Sequence, residues 1–368
     1  MADVVIVGGG IVGLSVAWSL ARRGVGVTVL ERSQVGDGAS NASAGMLAPL
    51  AEANRPGPFL ELGLASLRLY PSFIDSLRDA TDMNAECATP GLLRVAVNQE
   101  ESEEFCTPAW QKAVGLTVEY LTGDEVRRLE PALSPSIVAA ALSPEEKQYD
   151  PRDLVRMLAL ACASRGVRIV ECCQALGFET ANGHVTGVRT ATDIIPCGQL
   201  VIAGGAWADQ MTRWLGATLP VYPVRGQILA LRCLPSPVRH VVYAHAGYLV
   251  PRVDGEVLVG ATAEHEAGYD TRPTAGGMAQ LLNAAIGLVP ALASAPFDRV
   301  WAGLRPGCRD SLPILGPLPG YDNVQLAAGH FRNGVLLAPI TGEILADVLT
   351  GAAPHALLPA FAATRFAS

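Results

Sequence analysis

The N-terminal stretch MADVVIVGGGIVGLSVAWSLARRGVGVTVLERS constrains the fold of this chain more than any other part of the sequence. Residues 3–7 form a short run rich in β-branched side chains, which is typical of a buried parallel strand. Gly8, Gly10 and Gly13 follow in the pattern G-x-G-x-x-G, and residues 14–23 carry small and apolar side chains at helical spacing. Because a second apolar strand comes next, the stretch predicts a βαβ unit that binds a dinucleotide.

Each part of this unit has a physical role in holding a pyrophosphate. Gly8 permits the tight turn, Gly10 lets the backbone approach the phosphates, and Gly13 brings the helix close to the strand. The helix N-terminus directs its amides and its positive dipole end at the phosphates. Glu31 ends the second strand and can accept hydrogen bonds from ribose hydroxyls, while its charge disfavours the 2′-phosphate of NADP. The fingerprint alone does not distinguish NAD from FAD.

The composition excludes several other classes of protein. The chain carries a formal net charge of −8 and has no basic tract, which argues against nucleic-acid binding. It has no uninterrupted apolar run of about 18 residues and no basic region before its N-terminal apolar stretch, so neither a transmembrane helix nor a secretory leader is expected. Its eight cysteines include no C-x-x-C pair, which predicts free thiols in the cytoplasm and no metal site.

The order of the expected elements indicates two domains. The expected elements are a helix at 59–80, a strand at 91–98, a helix at 123–134, a helix–strand pair at 150–171, strands at 174–190 and 194–203, a strand-rich region at 221–262 and a helix at 275–290. βαβ elements lie at both ends, whereas the strands in the middle have antiparallel character. We therefore predict an α/β fold, with a discontinuous Rossmann-like FAD- or NAD-binding domain (1–90, 145–220 and 300–368) and an inserted α+β substrate domain built on an antiparallel sheet (91–144 and 221–299).

Five motifs spread over almost the whole chain carry a family resemblance: GGGIVG, SNASAGMLAP, VIAGGAW, WAGLRPG and GHFRNGVLLAP. Together they resemble the D-amino-acid oxidase and sarcosine oxidase family of flavoproteins, and within it the glycine oxidase-like enzymes. The resemblance implies FAD rather than NAD as the cofactor. Some family members attach the flavin through a cysteine, and Cys308 is the nearest candidate here. Because it lies a few residues beyond the matching position near Gly303, we expect non-covalent FAD.

The resemblance also implies which residues hold the cofactor. Glu31 and Arg32 should surround the adenosine ribose. The residues implied to contact the pyrophosphate, the adenine or the flavin are Ala42, Ser43, Gly45, Met46, Ala175, Ala203, Gly204, Trp207, Gly329, Arg332, Asn333, Gly334, Val335 and Leu336. Amides at the start of the helix near Gly334 should stabilise the negative charge of the reduced ring.

Three side chains are implied to lie around a substrate carboxylate: Tyr248, Arg305 and Arg332. In glycine oxidase-like enzymes the residues matching Tyr248 and Arg305 hold the carboxylate, and the second arginine lies close by or supports its loop. A guanidinium can bind a carboxylate through two parallel charge-assisted hydrogen bonds, and a tyrosine hydroxyl adds a third. We assign no acid–base role to His245 or His330, because hydride can leave Cα directly once the amine is neutral.

Three small residues are expected near the carboxylate clamp formed by Tyr248 and Arg305: Ala246, Gly247 and Ala263. The resemblance implies bulkier His, Cys and Met side chains at these positions in glycine-specific relatives. The sequence therefore predicts a substrate pocket with more room than glycine alone requires.

These features predict an FAD oxidase that acts on glycine, or on an N-substituted glycine with a bulky substituent. The expected products are glyoxylate and ammonia or an amine, with dioxygen reduced to hydrogen peroxide. Two alternatives stay open: a D-amino-acid dehydrogenase that uses another electron acceptor, and a flavin-binding module without turnover. The expected partners are a small amino-acid or amine substrate and dioxygen, and the sequence leaves open whether copies form a homo-oligomer.

Overall fold

Two large sheets organise the chain in a computed structural model that describes residues 2–366 except 54, 86, 88–89, 106–109 and 112–116. The strands are β1 (Ala2–Val7), β2 (Val27–Leu30), β3 (Met46–Leu47), β4 (Leu92–Ala96), β5 (Glu119–Thr122), β6 (Ala139–Ser143), β7 (Lys147–Gln148), β8 (Arg168–Val170), β9 (Gly177–Ala181), β10 (His184–Arg189), β11 (Ile194–Ile202), β12 (Val221–Arg232), β13 (Val241–Ala244), β14 (Gly247–Pro251), β15 (Glu256–Gly260), β16 (Phe297–Cys308), β17 (Ile314–Pro317) and β18 (Val324–Ala328). The helices are α1 (Ile11–Ala21), α2 (Ala39–Ala42), α3 (Pro49–Glu52), α4 (Pro58–Thr81), α5 (Gln99–Phe105), α6 (Gly123–Leu129), α7 (Pro151–Ser164), α8 (Ala208–Arg213), α9 (Ala275–Leu288), α10 (Gly334–Leu349) and α11 (Leu358–Phe361).

The first sheet has the strand order β17–β18–β11–β1–β2–β8. Its inner strands are parallel, with β1 between β2 and β11, and β17 lies antiparallel at one edge. The hairpin of β9 and β10 branches from this order, because β10 pairs antiparallel with the first residues of β11. Since β1, α1 and β2 form the predicted βαβ unit and β1 is buried on both faces, the Rossmann-like fold is confirmed.

A layer of helices packs on one face of this sheet. In it α1 lies between α7 and α10, and α4 packs against α7 and α10. The centre of the layer is tight, because a Cβ on Gly342 of α10 would lie 2.7 Å from the Ser15 carbonyl oxygen of α1. Asp150 caps α7 by accepting a hydrogen bond from the Arg152 amide (2.8 Å). In the described parts of the chain, no helix combines the length and apolar character needed to cross a bilayer.

The second sheet has the order β16–β12–β15–β14–β13–β4–β6–β5 and is antiparallel except where β13 meets β4. Alternate residues of β12 point to opposite faces, as strand geometry requires. Leu229 and Leu231 pack in the cluster that contains α9, whereas Ile228 and Ala230 pack in the cluster that contains the loop before α3. Tyr248 belongs to the second of these clusters. The face opposite α9 therefore packs against the loop before α3 and carries the site residues.

One helix ends earlier than expected, and the strand pairing also bears on the domain boundary. The helix expected at 123–134 ends at Leu129, because Pro131 disfavours a helical conformation at Glu130. Strand β16 crosses residue 300, where the third segment of the nucleotide domain was expected to begin. Since β16 is hydrogen-bonded to β12 along its length, we propose that the domain boundary follows Cys308 instead.

Candidate active site

The glycine turn after β1 brings three backbone segments together. Gly8 has a φ of +118°, and a Cβ on it would lie 2.3 Å from the Ala203 carbonyl oxygen. A Cβ on Gly13 would lie 2.0 Å from the carbonyl oxygen of Gly8. Any side chain at either position would push α1 or the end of β11 away. These glycines therefore let bare backbone form one wall of a cavity.

The start of α1 is fixed by side chains from neighbouring segments. The Ile11 amide donates to Ser40 Oγ (2.9 Å). The Glu31 carboxylate accepts hydrogen bonds from the Gly9 amide (2.7 Å) and the Ser33 amide (3.0 Å). Glu31 thus orders the glycine turn and also lines the cavity, where it can accept hydrogen bonds from a ribose.

An inner cavity extends from the glycine turn to the second sheet, and almost all predicted cofactor residues line it. They are Gly8, Gly10, Glu31, Arg32, Ala42, Ser43, Gly45, Met46, Ala175, Ala203, Gly204, Trp207, Gly329, Arg332, Asn333, Gly334 and Val335. The structure does not bring Gly13 or Leu336 to its wall. Gly13 packs beneath the turn, and the Leu336 side chain is fully buried near Gly63 of α4.

The loop after β2 is held against the cavity by both domains. Trp301 of β16 donates from Nε1 to the Ala42 carbonyl oxygen (3.0 Å). Gly45 has a φ of +77°, and a Cβ on it would lie 1.9 Å from the Tyr149 carbonyl oxygen. The small residues of this loop therefore let it pass close to neighbouring backbone, as a loop that wraps a cofactor requires.

The N-terminus of α10 also opens onto the inner cavity, where Gly334 and Val335 line the wall. Tyr70 fixes this turn by donating to the Val335 carbonyl oxygen. His330 lies just before the helix, with Nε2 3.0 Å from Thr341 Oγ1. Burial lowers the pKa of His330 to about 4, so the imidazole is neutral at physiological pH. The helix start can thus face a ligand without an added charge from His330.

Arg305 and Tyr248 reach each other across two glycines of the second sheet. Arg305 lies on β16 and Tyr248 on β14, with β12 and β15 between them. A Cβ on Gly226 of β12 would lie 2.2 Å from a guanidinium nitrogen of Arg305, and one on Gly260 of β15 would lie 2.4 Å from Tyr248 Oη. The two side chains lie over these bare positions, close enough to interact electrostatically with each other. The sheet therefore brings this predicted pair together beside the inner cavity.

The Arg305 guanidinium has capacity left for a ligand. Its Nη1 donates to the Thr262 carbonyl oxygen (2.9 Å), and among the residues that the structure describes no carboxylate forms an ion pair with it. Burial lowers the pKa of Arg305 and raises the pKa of Tyr248, because a low-dielectric environment disfavours charge. A largely buried cation without an anionic partner is costly, so this position favours binding of an anion.

Arg332 is engaged differently. Its Nε donates to Glu52 Oε1 (3.1 Å), and its Nη2 donates to Tyr243 Oη (3.3 Å). Tyr243 in turn donates to the same Glu52 oxygen (3.2 Å). Burial, reinforced by the Glu52 charge, raises the pKa of Tyr243, so the phenol stays protonated. Of the two predicted site arginines, Arg332 is therefore already paired, whereas Arg305 is not.

Glu52 ends the short helix α3, whose start is held by a second acidic residue. The Leu50 and Ala51 amides donate to Glu146 Oε1 (2.6 and 3.4 Å). Glu146 Oε2 is buried and has no partner among the described residues. Burial raises the pKa of Glu146 to about 8, so this carboxyl is largely protonated at neutral pH. Glu146 therefore positions α3, and with it Glu52, without adding a full negative charge.

An outer cavity of about 430 Å³ adjoins the inner one. The two share Glu52, Tyr248 and Arg332. Of the three small residues predicted near the clamp, Gly247 lines the outer cavity. The structure brings neither Ala246 nor Ala263 to either cavity, and both are exposed. Ala246 lies in the turn between β13 and β14, which directs its side chain to solvent.

Sequence reasoning did not identify Ser40, Glu52 or Tyr243 as site residues. Ser40 and Glu52 lie in the loop-rich stretch GDGASNASAGMLAPLAE, where a lone acidic residue after an apolar run was the available signal for Glu52. Tyr243 lies in a strand and pairs with Tyr248 across the hairpin, so its position follows from register once β14 is known. No local motif marked it.

Cys308 lies outside both cavities. Its side chain is buried with Sγ 3.3 Å from Asp310 Oδ1, and burial raises the pKa of the thiol to about 11. Gly303, near the position that the resemblance matches to the flavin-bearing cysteine, lines the inner cavity and has no thiol. The described cysteines are free, and Cys106 lies outside the described residues.

Comparisons with known proteins agree over nearly the whole chain. The FAD dependent oxidoreductase family matches residues 3–348. A glycine oxidase from Pseudomonas putida is 36% identical over 356 residues, covering 96% of this chain and 95% of that protein. The crystal structure of glycine oxidase from Geobacillus kaustophilus has a TM-score of 0.94 at 33% identity, with 99% and 98% of the two chains covered. The crystal structure of iminodiacetate oxidase from Chelativorans sp. BNC1 has a TM-score of 0.89 at 27% identity, with 98% of each chain covered.

Proposed function

Because the chain belongs to the family of FAD dependent oxidoreductases, we propose that it oxidises glycine or an N-substituted glycine. This family, together with a glycine oxidase relative at 36% identity, indicates a flavin-dependent amine or amino-acid oxidase. The choice of substrate rests on the residues at the junction of the two cavities. The observation that carries the proposal is the largely buried Arg305 guanidinium, which lies beside Tyr248 and has no anionic partner among the described residues.

The inner cavity fits FAD. Gly8 leaves bare backbone beside the Ala203 carbonyl, Glu31 offers a carboxylate, and α1 and α10 both begin at the cavity wall. Helix N-termini favour the negative charge of a pyrophosphate and of a reduced flavin. Since Cys308 lies outside the cavity and Gly303 has no thiol, non-covalent binding is proposed.

The clamp of Arg305 and Tyr248 fits a carboxylate at the inner end of the substrate site. Two parallel hydrogen bonds from a guanidinium fix the plane of a carboxylate, and the Tyr248 hydroxyl adds a third contact. Fixing the carboxylate also fixes the direction of the neighbouring Cα, which is the positioning that hydride loss requires. Bound FAD supplies the two-electron oxidation of the C–N bond to an imine, whose hydrolysis gives glyoxylate and ammonia or an amine while dioxygen is reduced to hydrogen peroxide.

The outer cavity supports a substrate with an N-substituent. Its volume of about 430 Å³ lies within the range typical of small-molecule pockets. Gly247 leaves its wall bare next to Tyr248, and Arg94, Glu101 and Glu104 supply charged side chains to this cavity. The similarity to an iminodiacetate oxidase is in keeping with this proposal, since iminodiacetate is an N-carboxymethyl glycine.

A steady-state comparison of glycine, sarcosine, longer N-alkylglycines and D-alanine tests this function. We expect kcat/KM to be higher for at least one N-substituted glycine than for glycine, with oxygen uptake and hydrogen peroxide in equal amounts. A higher kcat/KM for glycine than for every larger amine would refute the N-substituent. Flavin bleaching by D-amino acids without peroxide formation would favour the dehydrogenase alternative. Failure of every amine to bleach the flavin anaerobically would favour a protein without turnover.

A further inference from the structure

The substrate of the proposed function carries two opposite charges in water, and the clamp of Arg305 and Tyr248 meets only the carboxylate. The nitrogen arrives as an ammonium group and needs an acceptor. Resting on that proposed function, we propose that Glu52 binds the substrate nitrogen and thereby makes the junction of the two cavities a site for zwitterions. No other described carboxylate lines both cavities.

The position of Glu52 suits this role. Its side chain is 16% exposed, and it lines both cavities together with Tyr248 and Arg332. Arg332 and Tyr243 both donate to its Oε1. Its Oε2 accepts no hydrogen bond from any residue that the structure describes. One carboxylate oxygen is therefore held by the protein, and the other is available to a ligand.

Two tyrosines on adjacent strands lie next to the two charged groups. Tyr243 on β13 lies directly opposite Tyr248 on β14, and their rings are stacked with centroids 6.4 Å apart and planes at 17°. The Tyr248 hydroxyl lies beside the Arg305 guanidinium, and the Tyr243 hydroxyl donates a hydrogen bond to Glu52. Arg305 and Glu52 thus each lie next to one of two stacked phenols.

A bound α-amino acid places its two charged ends close together. The nitrogen and the carboxylate carbon of an α-amino acid lie about 2.5 Å apart, and a charge-assisted contact adds about 2.8 Å at each end, giving about 8 Å in all. An N–H that donates to Glu52 Oε2 leaves the other substituent of the nitrogen directed toward the outer cavity, which Glu52 also lines. Recognition of the nitrogen and room for its substituent then come from the same junction.

A pair of isosteric carboxylates isolates the charge on the nitrogen. Trimethylglycine and 3,3-dimethylbutanoate differ only in having N⁺ or carbon at the branched position, and neither can form the neutral amine from which hydride leaves. Both are titrated into the FAD-loaded protein, with binding followed by the change in flavin absorbance. We expect trimethylglycine to bind at least about tenfold more tightly, because one partly buried charge pair is worth that much or more.

The Glu52→Gln variant should lose this preference, with the ratio of the two dissociation constants falling to near one. Using the ratio cancels any change in carboxylate binding that follows from the release of Arg332. Tyr243→Phe is the matched control, since it removes the other donor to Glu52 Oε1 but keeps the charge, and it should retain the preference. Equal affinities for the two ligands in the unmodified protein, or an unchanged ratio in Glu52→Gln, would overturn the role of Glu52.

Arg305→Ala separates this inference from the proposed function. If Arg305 holds the carboxylate, the variant should bind both ligands at least about tenfold more weakly. Unchanged binding of both ligands to Arg305→Ala would overturn the carboxylate clamp, and with it the proposed function, whatever Glu52→Gln shows. Where Glu52→Gln fails to retain FAD, the ratio in the unmodified protein decides the matter.

Discussion

Gly226→Ala tests the arrangement in which Arg305 lies across bare backbone. The added Cβ would lie 2.2 Å from a guanidinium nitrogen, and the other two nearest atoms, at 2.4 and 2.5 Å, also belong to that guanidinium. Comfortable contact needs about 3.5 Å, so the guanidinium must lift by about 1 Å or more. A displacement of that size can lower catalytic efficiency by about 100-fold. Because only the flexible end of one side chain has to move, we expect the melting temperature to change by a few degrees at most.

The assay combines kcat/KM for the best amine substrate with FAD content and thermal unfolding. Gly276→Ala on α9 is the matched control, since a Cβ there would meet nothing within 4 Å and should leave kcat/KM unchanged. Retention of kcat/KM within threefold in Gly226→Ala would refute the placement of Arg305 over this glycine. A loss of FAD in parallel with the loss of activity would show that the substitution acts on the cofactor wall instead.

Three further outcomes are expected. Arg305→Ala should lower kcat/KM by about 10²–10⁴-fold while FAD stays bound, and Arg305→Lys should retain only part of the original kcat/KM. Tyr248→Phe should lower kcat/KM by about 10- to 100-fold. A larger loss of kcat/KM for Tyr248→Phe than for Arg305→Ala in steady-state kinetics would contradict the clamp. Acid precipitation should release all flavin into the supernatant, and a yellow pellet would point back to a covalent bond. The pKa of Glu146 is about 8 in the folded chain against an ordinary 4.5, so the native state keeps a proton that the unfolded state loses as pH rises through this window. The contribution of Glu146 to the free energy of unfolding is thus fully present below pH 4.5, and it falls by about 1.4 kcal/mol per pH unit toward pH 8. The melting temperature of Glu146→Gln should therefore rise relative to that of the unmodified protein from pH 5 to pH 8. A difference in melting temperature that does not change with pH would show that Glu146 is ionised in the native state.

The nucleotide half of the molecule was predictable because its signals are local. The glycines at 8 and 13 follow from turn chemistry and from the close approach of α1 to β1, and both constraints act within a few residues along the chain. Because these signals are local, the sequence was sufficient to predict the Rossmann-like fold that the structure confirms. The motif resemblance extended the prediction to loops such as the one holding Gly45, whose residues line the inner cavity as expected.

The substrate end was predictable only where a motif carried it. Glu52 and Arg332 are 280 positions apart, and their ion pair depends on packing between α3 and the turn before α10. No periodicity or spacing reports such a contact. Ala246, two positions before Tyr248, was expected near the clamp from the resemblance, but a hairpin turn directs it outward. Proximity in sequence is a weak guide to a pocket wherever the chain reverses.

The two glycines beneath Arg305 and Tyr248 also bear on the entropy of ligand binding. Long side chains that are free in solution lose rotamer freedom when they grasp a ligand, at a cost of about 0.5–1.5 kcal/mol each. Here both side chains already lie against bare glycines of the sheet, and Arg305 is hydrogen-bonded to the Thr262 carbonyl, so much of their freedom is lost when the chain folds. An arriving carboxylate therefore finds its partners preorganised. The glycines at 226 and 260, which contact no substrate themselves, contribute to affinity by this route.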